Sequence, residues 1–223
     1  MIVAGGSVYE GKRYLGRQPR VTFSQDGITW SAPQRILEEG DWLWRVTWHD
    51  GRAYGVTYRT PPGDGSEWAL TLVSSADGRV FDRVTSLSVP GRANETTLRF
   101  MPDGEMVALV RREAGDRLAW VGRSRAPYTT WTWRETPHQV GGPNFIRLPD
   151  GALWASGRSY PGGPKTVVAR MTLDGGYDPV LTLPSGGDTS YAGMVWHADL
   201  LWVSYYASHE GKTAIYLARV KVR

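Results

Sequence analysis

The sequence contains no cysteine among its 223 residues, which excludes a disulfide framework and a thiolate metal site. It has no run of 18 apolar residues, so a membrane-spanning helix is not expected. No charged start is followed by an apolar stretch and a small-residue cleavage site, so no signal peptide is visible. As it stands, the sequence predicts a cytoplasmic protein without a membrane partner, and the natural compartment stays open.

Lysine is also scarce, because 22 arginines and only 4 lysines carry the positive charge. The formal net charge of +4 favours anionic ligands. It is not gathered into a basic run, however, so nucleic acid is not an expected partner. The segment 209–213 lacks the first glycine of a phosphate loop, since Tyr206 occupies that place. We therefore predict no metal and no cofactor.

The residues that are present predict one all-β domain over 1–223. Apolar residues make up 41% of the chain, which excludes a disordered protein. The 27 glycines, 14 prolines and 11 tryptophans fit short strands joined by many turns. No helical period of 3.6 residues continues for more than a turn or two.

A hairpin frame recurs four times along the chain. In its clearest copy, residues 94–112, two apolar runs flank the turn residues 102–104. The frame returns at residues 48–59, 147–158 and 195–206. Aligned on Asp50, Asp103, Asp150 and Ala198, the copies lie 53, 47 and 48 residues apart. A fixed period of this size is typical of propeller blades or solenoid turns.

The spacing of the apolar segments favours the propeller, in which four-stranded sheets repeat around an axis. Strands of a first blade are predicted at 2–9 and 20–24. The later strands are predicted near 44–49, 52–60, 68–75, 83–89, 96–101, 105–113, 117–124, 134–140, 144–148, 152–159, 166–172, 178–183, 191–197, 200–207 and 213–222. The sequence therefore predicts a β-propeller with five blade units, of which the first lacks its innermost strand and the last its outermost.

Two turns share a Ser-x-Asp-Gly pattern, at Ser24–Trp30 and Ser75–Phe81. The serine and aspartate can accept hydrogen bonds from turn amides, the glycine can take a positive φ, and the aromatic residue can pack beneath. The pattern resembles the Asp box of sialidase-type β-propellers. The resemblance covers essentially the whole chain and implies a bacterial sialidase-like propeller, derived from a six-bladed parent and lacking the N-terminal blade.

Two further segments carry the resemblance to sialidases. Glu95 begins an inner strand and precedes Arg111, at the end of the next strand, by 16 residues, which is similar to the bacterial sialidase spacing. Gly187–Tyr191 resembles the sialidase segment that bears the nucleophilic tyrosine. The resemblance implies that Tyr191 is the nucleophile, Glu95 its base and Arg111 a ligand of the substrate carboxylate. A neutral nucleophile suits sialic acid, whose own carboxylate would repel a carboxylate nucleophile.

Two more arginines are candidates for binding the substrate. Arg158 lies eight residues after its turn aspartate, as Arg111 does one repeat earlier, and Arg45 lies at the start of its blade. In sialidases the acid/base aspartate and the first of three arginines come from the first blade and the loop after it. No residue of this chain matches those two groups, and the chain is expected to begin after that region.

Two functions remain open from the sequence. The first is sialidase-type hydrolysis of sialosides or related anionic glycans, impaired by the missing groups. The second is a non-catalytic propeller that binds glycans or proteins, in which Glu95 is a solvated turn residue and Tyr191 a packed aromatic. Because incomplete blades would expose strand edges, we also predict that a second copy covers the gap in a homodimer, or that the chain closes on itself.

Overall fold

The described part of the chain consists of β-strands and contains no helix. The structure is a computed structural model and describes residues 2–4, 6–60 and 66–222. The N-terminal strands form a three-stranded sheet of order β1-β4-β5 and a separate hairpin, β2-β3. Their bounds are β1 (Ile2–Ala4), β2 (Ser7–Glu10), β3 (Arg13–Arg17), β4 (Arg20–Thr22) and β5 (Gln34–Arg35).

Three four-stranded antiparallel sheets follow, each in sequence order, and a three-stranded sheet ends the chain. The first comprises β6 (Trp42–His49), β7 (Arg52–Arg59), β8 (Ala69–Ser75) and β9 (Asp82–Ser86). The second comprises β10 (Thr96–Phe100), β11 (Met106–Val110), β12 (Trp120–Ser124) and β13 (Thr132–Glu135). The third comprises β14 (Gly141–Arg147), β15 (Leu153–Ser159), β16 (Lys165–Met171) and β17 (Tyr177–Thr182). The last comprises β18 (Ser190–His197), β19 (Leu200–Ala207) and β20 (Ala214–Val220).

Each of these four sheets begins with the hairpin that the repeat predicted. In the β10–β11 hairpin, Thr96 pairs with Val110, and Phe100 pairs with Met106. Gly104 turns the chain with a φ of 78°, in the left-handed region that glycine adopts without steric cost. The inner strands β6, β10, β14 and β18 contact one another in chain order, which is the arrangement of propeller blades around an axis.

The hydrophobic core lies in layers between consecutive sheets. Strand β11 shows why, since all five of its residues are buried and alternate between two layers. Met106, Ala108 and Val110 pack toward the β6–β9 sheet, whereas Val107 and Leu109 pack toward the β14–β17 sheet. Burying each side chain of this size stabilises the fold by roughly 1.5–3 kcal/mol. Sheets that are apolar on both faces must be covered on both sides, and stacking around an axis does so.

The N-terminal prediction needs correction. The single strand expected at 2–9 is divided between β1 and β2, which belong to different sheets, and neither β3 nor β5 was predicted. In the later blades each predicted strand overlaps an observed one, but β13 ends at Glu135, five residues before the predicted end at 140. The predicted count of five blade units is not confirmed, because the N-terminal strands form a small sheet and a separate hairpin.

The predicted turn hydrogen bonds are present in both Ser-x-Asp-Gly segments. Asp26 Oδ1 accepts from the amides of Ile28 and Thr29 at 2.8 and 2.7 Å, and Ser24 Oγ accepts from Gly27 N at 2.7 Å. Asp77 binds its turn in the same way. These amide donors lower the pKa of Asp26 to about 2. The two segments therefore act as structural turns.

One face of the last sheet is not covered by any other sheet of the described residues. Val195, Ile215 and Leu217 are 56%, 84% and 62% exposed, whereas Leu201 and Val203 on the opposite face are buried. We call this exposed side the outer face of the last sheet. It lies where a propeller of complete blades would place the next blade.

Candidate functional site

Three of the four inner strands carry a β-bulge near their first residues. The pairing register shifts between Leu43 and Val46 in β6, between Gly141 and Asn144 in β14, and between Ser190 and Gly193 in β18. A bulge adds an unpaired residue and redirects the neighbouring side chains. The residues within the bulges are Trp44, Arg45, Gly142, Pro143, Tyr191 and Ala192. All three bulges lie at the same end of the propeller.

Tyr191 and Glu95 meet at this end, although 96 residues separate them in the chain. Tyr191 Oη donates a hydrogen bond to Glu95 Oε1 at 2.9 Å. Glu95 is only 5% exposed, whereas Tyr191 is 42% exposed and faces solvent with part of its ring. The residue open to a ligand is therefore the tyrosine, and the carboxylate lies behind it.

Glu95 is held on its other oxygen by two donors. Arg111 Nη1 and the backbone amide of Gly142 donate to Glu95 Oε2 at 2.6 and 2.9 Å. Gly142 has a φ of 57°, and a Cβ at this position would collide with Ser190 Oγ and with the ring of Tyr191. Because residue 142 is a glycine, its amide can donate to Glu95 while the absence of a side chain leaves room for the Tyr191 ring.

Arg111 lies between two carboxylates. Its Nη2 is 2.5 Å from Glu113 Oε1, which also accepts from Asn94 Nδ2 at 3.2 Å. Burial works against the charged guanidinium, but the charge of Glu95 and their hydrogen bond outweigh it and raise the pKa of Arg111. The sequence prediction that Glu95, Arg111 and Tyr191 share one rim therefore agrees with their placement.

The environment of Tyr191 keeps its phenol protonated. Burial and then the negative charge of Glu95 raise the pKa of Tyr191 well above the ordinary tyrosine value. Its backbone has a φ of 45°, a left-handed conformation that is uncommon for a bulky residue. Trp44 packs edge-on against the Tyr191 ring at a centroid distance of 4.8 Å. The β18 bulge and the contact with Trp44 together fix the direction in which the Tyr191 phenol points.

Arg158 lies beside this group and does not join its hydrogen bonds. Its Nε donates to Thr189 O at 2.6 Å, and its Nη2 donates to Asp188 Oδ1 at 2.8 Å and to Tyr206 Oη at 3.0 Å. The ring of Tyr206 is 5.7 Å from that of Tyr191. The positive charge of Arg158 is thus matched by Asp188 within its own corner.

Arg45 reaches the site from the β6 bulge. Its Nη2 donates to Ala192 O at 2.9 Å, and its Cζ is 5.4 Å from the centre of the Trp44 ring. Burial lowers the pKa of Arg45, and the charge of Glu95 partly opposes this effect. Arg45 therefore lies close enough to Glu95 to feel its negative charge.

Sequence reasoning missed Trp44, Gly142, Asn144, Arg99 and Tyr160. Arg99 could have been noticed as a charged residue within the apolar strand TTLRF. Tyr160 follows its turn aspartate by ten residues, as Glu113 does one repeat earlier. Its phenol is one of the groups that raise the pKa of Arg111. Gly142 and Asn144 gave no comparable signal, because a bulge cannot be located from residue spacing alone.

Several buried polar atoms around the site have no partner in the described part of the protein. Six such side-chain atoms occur there, and four of them belong to site residues. They are Trp44 Nε1, Arg45 Nε, Arg111 Nε and Tyr160 Oη. Unpaired buried polar groups are costly in a protein interior, and their concentration here is typical of a ligand-binding site. Within the described ranges no group of three or more His, Asp or Glu side chains is placed to hold a metal ion.

No protein-family model matches the chain, and no curated protein matches it. Among solved structures, it is similar to the E242A mutant of the α-L-arabinofuranosidase Arb93A from Fusarium graminearum. That match has a TM-score of 0.75 and 13% identity and covers 98% of this chain and 71% of the other. The chain has a β-propeller fold.

Two structures from Bacteroides thetaiotaomicron VPI-5482 are similar as well. An endo-arabinase matches with a TM-score of 0.66 and 18% identity, over 92% of this chain and 87% of its own. An endo-1,4-β-xylanase matches with a TM-score of 0.60 and 14% identity, over 80% of this chain and 68% of its own. At these identities the likeness shows the fold alone. The sialidase type that the sequence predicted has no support in these three structures.

No helix of the described residues is long and apolar enough to cross a membrane.

Proposed function

We propose that this protein hydrolyses glycosidic bonds, with Tyr191 as nucleophile and Glu95 as its base. The observation that carries the proposal is the 2.9 Å hydrogen bond from Tyr191 Oη to Glu95 Oε1. A tyrosine becomes a competent nucleophile when a neighbouring carboxylate accepts its proton as it attacks. The similar structures are propeller proteins named for arabinan and xylan hydrolysis, which also favours a glycosidase.

The geometry supports attack by the tyrosine rather than by the carboxylate. Both oxygens of Glu95 are already engaged, one by Tyr191 and the other by Arg111 and Gly142, and its side chain is nearly inaccessible. Tyr191 is the exposed partner. In the first step the Tyr191 oxygen bonds to the anomeric carbon, the glycosidic C–O bond breaks, and the phenolic proton passes to Glu95. The departing oxygen takes a proton from water.

In the second step water cleaves the glycosyl–tyrosine bond. Glu95 returns its proton to the Tyr191 oxygen as that bond breaks, and the attacking water releases a proton to solvent. The sugar is freed with the phenol restored. Arg111 remains paired with Glu95 throughout and fixes its orientation.

The proposed substrate is an acidic sugar, as in sialidase-type hydrolysis. Around Tyr191 and the inner strands lie four guanidinium groups, those of Arg45, Arg99, Arg111 and Arg158, and three carboxylates, those of Glu95, Glu113 and Asp188. A surplus of positive charge favours a ligand that carries a carboxylate. A neutral α-L-arabinofuranoside is the second candidate, favoured by the likeness to Arb93A.

The test compares fluorogenic sialoside and α-L-arabinofuranoside substrates with the wild-type chain, Tyr191→Phe and Glu95→Gln. We expect turnover of the sialoside, abolished in Tyr191→Phe and reduced in Glu95→Gln by a factor on the order of 10² or more, the range of general base catalysis. Turnover of the arabinofuranoside alone would select the second substrate. Glycan binding without turnover of either substrate would instead support the non-catalytic propeller and overturn hydrolysis.

A further inference from the structure

A hydrogen-bonded network joins all four inner strands behind the site. Asn144 on β14 donates to Ala192 O on β18 at 2.9 Å and accepts from Arg99 Nη2 on β10 at 2.9 Å. Arg99 Nη1 donates to Thr47 Oγ1 on β6 at 3.1 Å. Arg45 donates to the same Ala192 carbonyl oxygen. We call these residues the axial network.

The acceptors that the described residues offer the two cations of the axial network are all neutral. Arg99 donates to Thr47, to Asn144 and to the carbonyl of Leu98, and Arg45 donates to a carbonyl oxygen. Among the described residues neither guanidinium forms an ion pair with a carboxylate. Arg111, by contrast, contacts two carboxylates, and Arg158 contacts one. Buried charges in proteins are usually paired, so the axial cations lack their expected counter-charge.

Three further observations indicate that the missing group is an anion from solution. Arg45 Nε is buried and finds no acceptor in the part of the chain that the structure describes. Both arginines remain partly exposed, so a small ligand has access to them. Burial lowers the pKa of Arg99 to about 10, and the nearby charge of Arg45 acts in the same direction as a smaller cause.

We propose that Arg45 and Arg99 form a binding site for a small monovalent anion, a carboxylate or chloride, on the propeller axis. Guanidinium groups bind carboxylates and other oxyanions through charge-assisted hydrogen bonds, and the free Nε of Arg45 supplies a donor. If the proposed function holds, this site, and not Arg158, takes the carboxylate of the acidic sugar. The anion site itself does not depend on catalysis.

The test measures the melting temperature of the full chain as sodium chloride or sodium acetate is added to a dilute buffer, and compares each protein at the same salt concentrations so that general ionic-strength effects cancel. A specific site gives a saturable rise, because a ligand that binds only the folded state stabilises it. We expect the rise in wild type and in Arg123→Gln, whose arginine is paired with Glu105 away from the axis. In Arg45→Gln and Arg99→Gln the apparent affinity should fall about tenfold or more, the loss typical of a hydrogen bond to a charged group.

A second measurement, tryptophan fluorescence, keeps the proposal testable if the glutamine variants fail to fold. Because Arg45 lies against Trp44, anion binding should change the tryptophan fluorescence of wild type and of Arg45→Lys, but not of Trp44→Phe. The absence of any saturable anion effect in wild type would overturn the proposal, as would an unchanged effect in both glutamine variants.

N-Acetylneuraminic acid distinguishes this proposal from the function proposed above. If the sugar binds and Arg45→Gln weakens its binding, the site is shown to take the acidic sugar. If acetate binds and the sugar does not, the anion site stands and the acidic-sugar substrate fails.

Discussion

Tyr191 holds its proton tightly, and the causes can be separated by experiment. Burial contributes first, and the charge of Glu95 second. In Glu95→Gln the negative charge is gone while Arg111 remains nearby, so the Tyr191 phenol should ionise at lower pH than in wild type. Phenolate absorbance followed against pH, with Tyr191→Phe subtracted from each protein, measures this shift. Identical titration curves would show that Glu95 does not act on the phenol.

A second prediction concerns the carboxylate of Asp26 and the stability of the fold in acid. Its folded pKa of about 2 lies below the unfolded value of about 4, so the ionised carboxylate stabilises the fold above pH 4. That contribution is lost as the pH falls from about 4 to about 2. Asp26→Asn keeps the acceptor oxygen and removes the titration. Its denaturation midpoint in urea should therefore fall less steeply over that pH range, and a slope equal to that of wild type would contradict this account.

At the scale of single elements, the hairpins were predictable and the bulges were not. The β10–β11 hairpin follows from two apolar runs around a Pro-Asp-Gly turn, and its pairing agrees with the sequence. The two-residue strand β5 carries too little pattern to be recognised. The bulge at 141–144 has no such local signal, and its Gly142 lies against Ser190 and Tyr191 of β18.

The same limit explains which site residues were found. Glu95, Arg111 and Tyr191 lie at strand ends, where repeat spacing and antiparallel pairing place them on one rim. Arg99 and Asn144 lie on inner strands that face the axis, and their partners come from other blades. Long-range contacts of this kind need the structure.

The requirement for a glycine at position 142, in the β14 bulge, can be tested by substitution. Gly142→Ala should destabilise the protein by about 1–2 kcal/mol for a left-handed alanine and by roughly 1–3 kcal/mol more for the collision with Ser190 and Tyr191. Gly104→Ala is the matched control, because its φ is 78° and its Cβ would meet nothing within 4 Å. Chemical denaturation gives both values. Equal losses in the two variants would show that Gly142 does not make room for Tyr191.

At the scale of the whole molecule, the outer face of the last sheet raises the question of assembly. Ile215 and Leu217 are exposed on β20, which has no outer neighbour in its sheet within the described ranges. Apolar sheet faces of this kind associate unless they are covered. We expect a homodimer in sedimentation, weakened by Leu217→Lys. Val80→Lys, at an exposed turn valine, is the control. A soluble wild-type monomer that melts cooperatively would contradict the dimer and favour a chain that is stable alone.

The bulges on the inner strands have a consequence for how this protein can change over evolutionary time. A bulge turns side chains toward the axis without shifting the apolar residues that fill the layers between sheets. Substitutions at Trp44, Arg45 or Tyr191 therefore alter the chemistry at the rim while sparing the apolar residues that fill the layers between sheets. Such a scaffold can acquire a new specificity through few, separable mutations, and selection for folding and selection for ligand act on different sets of positions.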